Sequence, residues 1–575
     1  MTMNSNQYRS LLFVASMLVT GIMCLVWDQR EYEGAWLCLF ADLGIIGVFL
    51  FFLSKRLATT FRVLLSVLLY GATLVDINCS YHFGSGLSPV ILGLMLNTNM
   101  AEVSDFFSSY GYQLLHDWHL WLLLLVVALH IVSAIWVGRW PAIPLERKRM
   151  VALMMGGGLL ICIMLTGKSK VQLFQLLTQS TVSDMESLIF SRYDNSAYLP
   201  IYRLIYSWRA QSLAGYEIEK LRETTASVHV DSCSHRSPLI ALVIGESYNR
   251  HHSALYGYHV PTTPKQVERE HNGELTVFTN VVSPWNITTN AFNHMFSLHY
   301  YGAERAWASY PLFPQLFRQA GYYVSFISNQ FEQRGMNTFF NQTGGFFLND
   351  RILCDRQFDY RNRCVRHDDM AFLKECLPML QIEERTFRLD IIHLHGQHFE
   401  YEDRYPSSEE VFRQRQYRRR GLSRSQRKTV AHYDNATLHN DKVLDAILQF
   451  YENRSAIVIF LSDHGEEVYD DLPVKGRLYG ELTARQVHQE FEIPFWIWCS
   501  PSYREQHPDV VTLVKDAAQQ PFITDRLPHL LLYLAGIACP DYDERLNLLS
   551  SKYDVSVPRQ LEGIADYDAL IKEIR

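Results

Sequence analysis

The sequence carries no strong excess of either charge. Lys and Arg number 53 against 60 Asp and Glu, so the net charge is −7 over 575 residues. Bulk attraction to nucleic acid is therefore excluded as an organising feature. Cysteine is sparse, at 10, which rules out a disulfide scaffold by density. No repeat or low-complexity tract occurs. No small-residue cleavage site follows the first apolar segment, so that segment reads as a retained span and not as a signal peptide. Mean hydropathy near zero, −0.07, averages a very apolar first third with a polar remainder.

That first third holds five apolar segments: 11–27, 35–53, 57–77, 118–137 and 150–166. Each approaches the roughly 20 residues that cross a bilayer. Basic residues gather in the loops after the second and fourth segments, at Lys55 and Arg56, then Arg139, Arg147, Lys148 and Arg149. The loops after the first and third carry only Arg30 between them. By the positive-inside rule the N-terminus is cytoplasmic, and five spans put everything after Gly167 outside. Arg62 and Asp76, near the ends of the third segment, are explained by snorkelling as well as by function. The outer loop 78–117 contains Thr98 and Glu102, four apart and so on one helix face. An amphipathic interfacial helix and a lipid-headgroup contact both fit it.

Residues 1–167 thus form a transmembrane domain of five helices. Residues 168–236 read as a linker of one or two interfacial helices. Residues 237–575 form an exported domain, long enough for one large core. Apolar runs at 239–244, 275–282, 323–327, 389–394, 456–461 and 491–498 alternate with helical stretches. That pattern predicts an α/β domain built on a largely parallel sheet. The basic run 413–427 reads as a solvated loop. Six cysteines lie outside the membrane part, and Cys354 with Cys364 is the best candidate pair in an exported domain.

The chemistry gathers where strands end. Ile457–Leu461 is an unbroken apolar run that breaks into Ser462, Asp463, His464, Gly465 and Glu466. Sites in open α/β sheets lie outside the carboxyl ends of strands. Asp with His suits a divalent metal of the zinc or manganese kind. A second strand ends in Gly245 and Glu246. A third polar stretch, Ser283–Asn290, offers hydroxyls that could open a helix, whose N-terminus stabilises anions. Two carboxylates, an imidazole and a hydroxyl suit an activated nucleophile beside a metal. The bland readings are Glu246 as a surface acid and Thr288 as an N-cap.

Together VIGES (243–247), NVVSPWNIT (280–288), SNQ (328–330), HGQH with DRYP (395–406), YDNATLHND (433–441) and SDHGEEVYD (462–470) resemble the membrane-bound phosphoethanolamine transferases. These belong to the sulfatase-like branch of the alkaline phosphatase superfamily. The likeness spans nearly the whole chain and includes TNMAE (98–102). SDHGEEVYD and the LYGY–TTP run (255–264) look closest to the transferases acting on the lipopolysaccharide core.

The resemblance implies an alkaline-phosphatase-like sheet and a zinc centre of Glu246, Thr288, Asp463 and His464, with Thr288 as nucleophile. A second zinc, and manganese or magnesium in its place, stay open. The family's GxH histidine corresponds to His398, for phosphate or a second metal. Spacing alone nominates His393 or His395 equally. Asn329 and Gln330 match the segment that contacts the headgroup. His488 falls near another active-site histidine of relatives, about one residue off in its distance from Pro494. Thr98 and Glu102 match headgroup-binding positions, with Leu94 in place of an upstream asparagine. No cysteine stands near Thr288, unlike the lipid A transferases, which weighs against a lipid A acceptor. The implied activity moves phosphoethanolamine from phosphatidylethanolamine to lipopolysaccharide at the bacterial inner membrane, with the catalytic domain in the periplasm. Phosphoglycerol transfer, transfer to lipid A or another periplasmic glycan, simple sulfatase or phosphatase activity, and a non-enzymatic scaffold are the rivals.

Overall fold

The structure is a computed structural model. It describes residues 2–3, 5–27, 33–83, 87, 89, 92, 117–137, 139, 143–144, 148–182, 184–185, 188, 199–330, 346–362, 365–381, 387–398, 400–417, 421–478 and 482–574. Thr98, Glu102 and Cys364 lie outside them. The described residues fall into two compact units that divide between Tyr216 and Glu217.

In the first unit, five helices among the described residues are long and apolar enough to cross a membrane. The spans are Ser5–Val26, Ala35–Phe52, Lys55–Ser80, Trp118–Val137 and Gly156–Leu177. The fifth span lies on the helix Lys148–Leu177, which contains the whole apolar run 150–166. Its helix continues through Lys168 and Lys170 to Leu177, because Lys170 finds partners. Lys170 Nζ donates to Asp42 Oδ2 at 2.7 Å and to Tyr202 Oη at 3.0 Å. Arg62 and Asp76 turn inward instead of snorkelling. Arg62 donates to Ser10 Oγ and Asn6 Oδ1, each at 2.8 Å. Asp76 takes Arg203 Nη1 at 3.3 Å. Intramembrane charges persist when they are paired in this way.

The second unit is built on a seven-stranded sheet. In chain order its strands are β1 (Leu239–Gly245), β2 (Leu275–Phe278), β3 (Tyr323–Ser328), β4 (Tyr360–Arg361), β5 (Arg388–His393), β6 (Ala456–Ser462) and β7 (Phe495–Cys499). The spatial order is β2-β7-β6-β1-β5-β3-β4. From β6 to β4 every neighbouring pair is parallel, and β7 runs antiparallel to both β6 and β2. The six apolar runs all become strands of this sheet. The run 275–282 splits, and its second part, Val281–Val282, pairs instead with Phe522–Ile523. β4 is two residues long, too short for any periodicity to announce it.

Both faces are covered, which is why β1 and β6 have no polar alternation. Ile240, Leu242, Ile244, Ile457, Ile459 and Leu461 pack on one side with Phe292, Met295 and Phe296 of the helix Thr288–Phe296. Ala241, Val243, Val458 and Phe460 pack on the other with Val443, Leu444, Ile447 and Leu448 of the helix Arg424–Tyr451. Each large apolar side chain so buried contributes about 2 kcal/mol. The helix Arg424–Tyr451 absorbs the end of the basic run read as loop. Ser423 caps it, accepting from the Gln426 backbone N–H at 3.2 Å.

One ion cluster pins this helix to the loop after β6. His252 is buried between Asp434 Oδ1 at 2.6 Å and Asp470 Oδ2 at 2.8 Å. Burial opposes its charge, but Asp470 and Asp434 outweigh it and push the pKa up to about 10. The folded value exceeds the unfolded value of about 6.5. The stabilisation is therefore complete below about pH 6.5 and is lost as pH rises through about 10. His252→Gln should cost about 3 kcal/mol at pH 6 and clearly less at pH 10.5. Urea unfolding at the two pH values checks it.

Candidate active site

The register of the central strands assembles the site. Ser462 pairs with Gly245 in the parallel β1–β6 ladder. The next residues, Asp463 and Glu246, therefore leave the sheet side by side. His393 pairs with Ile244 on one side and Ser328 on the other, which brings the SNQ segment to the same edge. Ser247 adopts φ 55°, an uncommon conformation for a residue with a side chain. It turns the chain so that its N–H donates to Asp463 Oδ1 at 3.1 Å and its hydroxyl to Glu246 Oε1 at 3.0 Å. The Tyr433 hydroxyl holds this turn, donating to Ser247 O at 2.6 Å and accepting from Asn249 N at 2.7 Å.

Thr288 opens the helix Thr288–Phe296, with Ile287 in the cap position. Its side chain caps nothing in that helix. Instead Thr288 Oγ1 lies 3.1 Å from both Glu246 oxygens and 3.3 Å from His464 Nε2. Glu246, Asp463 and His464 are fully buried, with one ligand-type atom of each within 4.8 Å of the others. Asp463 Oδ2 accepts no hydrogen bond. His464 Nδ1 lies 2.7 Å from Gly465 O. A proton on Nδ1 leaves Nε2 as the lone-pair nitrogen, the arrangement of a metal ligand. Burial and the Glu246 charge push Asp463 up, whereas His464 holds Glu246 well below the usual carboxylate range against its own burial. Two buried acids, an imidazole and an unsatisfied carboxylate oxygen make a donor set that a zinc-type cation fits.

Further residues close the pocket. Gln330 Nε2 donates to Glu246 Oε2 at 3.0 Å and lies 3.1 Å from His393 Nε2. Its neighbour Asn329 points elsewhere: it donates to Asp369 Oδ1 at 2.8 Å and accepts from Arg366 N at 2.6 Å. Asp369 also accepts from the backbone N–H groups of His395 and Gly396, each at 2.8 Å, so it shapes the turn before His398. His398 is half-buried. Burial lowers it to about 4 against the pull of Glu246, with Arg477 lowering it further, so it is neutral at pH 7. His393 is buried on Ser328 Oγ at 3.0 Å, and His395 is held by Arg404 Nη1 at 2.7 Å. Among the described residues His398 alone of the three has a half-buried ring with no side-chain hydrogen bond.

His488 meets a different set of partners. Its Nδ1 lies 2.7 Å from Asp471 Oδ2, and its ring lies 3.9 Å from that of His251. Arg477 escaped sequence reasoning. Its Nη1 donates to His464 Nε2 at 2.9 Å, and its charge acts on Glu246, His398 and Glu466. The only sequence signal was a cation just past a tight glycine, Gly476, in the loop that follows the Asp463–His464 segment.

Gly465 shows how tightly the loop bearing Asp463 and His464 is seated. A Cβ there would stand 2.3 Å from the backbone oxygen of Gln489. Gly465 N also donates to Glu490 O at 2.7 Å. Gly465→Ala should destabilise the unit by about 1–3 kcal/mol and weaken metal retention, read by thermal melting and by zinc content after dialysis.

The sulfatase family profile matches residues 238–537, more than half of the chain. The chain belongs to the sulfatase family. Among curated sulfatase relatives, it is 26% identical over 553 residues to phosphoethanolamine transferase EptC of Escherichia coli strain K12, covering 92% of this chain and 90% of that one. The crystal structure of the C-terminal periplasmic domain of that species' EptC in complex with Zn matches with TM-score 0.51 at 26% identity, covering 60% of this chain and 96% of that one. The integral membrane lipooligosaccharide phosphoethanolamine transferase A of Neisseria meningitidis shares the fold over 94% of this chain and 97% of its own, with TM-score 0.51 and 17% identity. This member of the sulfatase family is thus a multi-pass membrane protein with five apolar helices ahead of an α/β domain. It is a homologue of the phosphoethanolamine transferases within the alkaline phosphatase superfamily, as the motifs implied.

Proposed function

We propose that the protein is a metal-dependent transferase that moves phosphoethanolamine from phosphatidylethanolamine to lipopolysaccharide, with a core sugar as acceptor, through a phosphoethanolamine-threonine intermediate. The observation that carries this reading is the position of the Thr288 hydroxyl, at the first turn of a helix and within 3.3 Å of Glu246 and His464. The likeness to EptC over most of both chains supports the group transferred.

Thr288 Oγ1 donates toward Glu246, so its lone pairs face the open side of the pocket. That oxygen attacks phosphorus, the bond to the diacylglycerol oxygen breaks, and diacylglycerol leaves with a proton. The N-terminal N–H groups of the helix favour the anionic phosphoryl group. His398 and Arg477 flank it, and Gln330 keeps Glu246 oriented. The acceptor oxygen then attacks the same phosphorus, the bond to Oγ1 breaks, and Thr288 recovers its proton. One zinc held by Glu246, Thr288, Asp463 and His464 would supply positive charge at the phosphoryl oxygens and lower the hydroxyl pKa. Thr98 and Glu102 of the outer loop take the ethanolamine end. The catalytic unit works in the periplasm, at the outer face of a bacterial inner membrane, where the spans hold it beside its lipid donor.

The test uses full-length protein with lipopolysaccharide and vesicles of either phosphatidylethanolamine or phosphatidylglycerol. Mass spectrometry should find a phosphoethanolamine-sized gain on the core fragment with the first donor only. A phosphoglycerol-sized gain with the second would replace this reading by its nearest rival. A gain on the lipid A fragment would move the acceptor.

A further inference from the structure

A second group of metal-type side chains stands apart from the centre just described. It contains His251, His488 and Glu492, each offering one ligand-type atom within 4.8 Å of the others. The two groups share no residue. His251 belongs to the turn after β1, His488 to the short helix Ala484–Glu490, and Glu492 to the segment leading into β7. Glu492 also forms an antiparallel bridge to Val282, a few residues ahead of Thr288.

The geometry points to a second divalent-cation site of the zinc kind at His251, His488 and Glu492, with solvent completing the coordination. His251 Nε2 lies 3.2 Å from Glu492 Oε2. Two ligands of a tetrahedral zinc, each at about 2.0–2.1 Å, stand roughly 3.3 Å apart. The His251 and His488 rings lie 3.9 Å apart between centroids, a ring contact that two imidazolium cations would disfavour; ligation of one ion needs only a small turn of one ring outward. Side-chain exposures of 27% for His251 and 30% for His488 leave the site open to ions from solution. Two imidazoles with one carboxylate form a donor set typical of zinc.

The surrounding groups behave as outer partners. His488 Nδ1 sits 2.7 Å from Asp471 Oδ2, a carboxylate that fixes the ring and leaves the other nitrogen free to ligate. The Tyr567 hydroxyl donates to Glu492 Oε1 and the Arg250 guanidinium to Oε2, so a cation beside His251 takes the second lone pair of Oε2. Burial pushes Glu492 up, but His251 and Arg250 outweigh it and hold its pKa at about 2. Burial also lowers His251, with His488 adding to the effect against Glu492. A carboxylate and two imidazoles bind a cation in their ionised and neutral forms respectively. The ion clips three chain segments together: the turn after β1, the Ala484–Glu490 helix and the approach to β7. Through Asp471 it also reaches the loop that follows the catalytic Asp463 and His464.

Zinc per chain is measured on full-length protein in detergent, equilibrated with zinc and then dialysed. Wild type should hold one ion at each centre. H251A/H488A should halve the zinc, D463N should halve it independently, and the triple variant should hold none. Zinc content in H251A/H488A equal to that of wild type overturns the assignment. Should that variant not fold, crystals of the unaltered protein grown with zinc decide. An anomalous peak about 2.1 Å from His251, His488 and Glu492 atoms supports the site, and its absence in crystals that show the Asp463–His464 peak overturns it.

Discussion

Thr288→Ala is expected to leave transfer to lipopolysaccharide lower by about 10,000-fold or more, with the melting temperature of the soluble unit unchanged. The loss is large because no neighbouring hydroxyl can stand in. Thr289 follows it but is buried in the helix, and the Ser247 hydroxyl meets Glu246 alone, whereas Thr288 meets both Glu246 and His464. Stability should hold because Ile287, not Thr288, occupies the cap position and the Thr288 side chain bonds nothing in its own helix. Intact-mass spectrometry after incubation with donor lipid gives the second readout. Wild type should gain a phosphoethanolamine-sized adduct on the peptide carrying Thr288, and the variant should gain none. Undiminished product from the variant would remove the proposed nucleophile.

Asp463→Asn should lower transfer on the order of 1,000-fold and reverse its effect on stability with zinc. With a chelator present, wild type keeps two buried acids, Glu246 and Asp463, in contact with only one imidazole between them. Removing one charge relieves that repulsion, so the variant should be more stable by about 1–2 kcal/mol. With zinc present, wild type gains binding energy that the variant lacks, and the order of melting temperatures should invert. Thermal melts of both proteins in chelator and in zinc check this. The same order in both conditions would mean that these side chains do not hold the ion.

The sheet was legible because β1 and β6 are buried on both faces and so read as unbroken apolar runs; β5, read RLDIIH, keeps Leu389, Ile391 and Ile392 around the buried Asp390. Glu246 and Asp463 were legible for a related reason. Each is the first or second residue to break such a run, and parallel pairing places those breaks together. Interactions that depend on chain reversal were hidden. Arg477 reaches His464 only because the segment 467–476 folds back as a short hairpin. Asp369 reaches His395 and Gly396 from a separate helix. Asn329 and Gln330 are adjacent and chemically alike, yet only Gln330 meets Glu246. Successive side chains leave an extended segment in opposite directions, and nothing in the letters says which one faces the site. His488, about one residue off in its distance from Pro494, sits in the helix Ala484–Glu490 with its ring against that of His251.

The Lys170–Asp42 pair bears on how two of the spans meet. The fifth helix runs on past its apolar stretch into Lys168 and Lys170. A lone ammonium there would be costly to bury, and Asp42 of the second helix, 2.7 Å from Lys170 Nζ, neutralises it. Opposite charges meeting at one point fix which turns of the second and fifth helices face each other, a choice that apolar side chains by themselves leave loose.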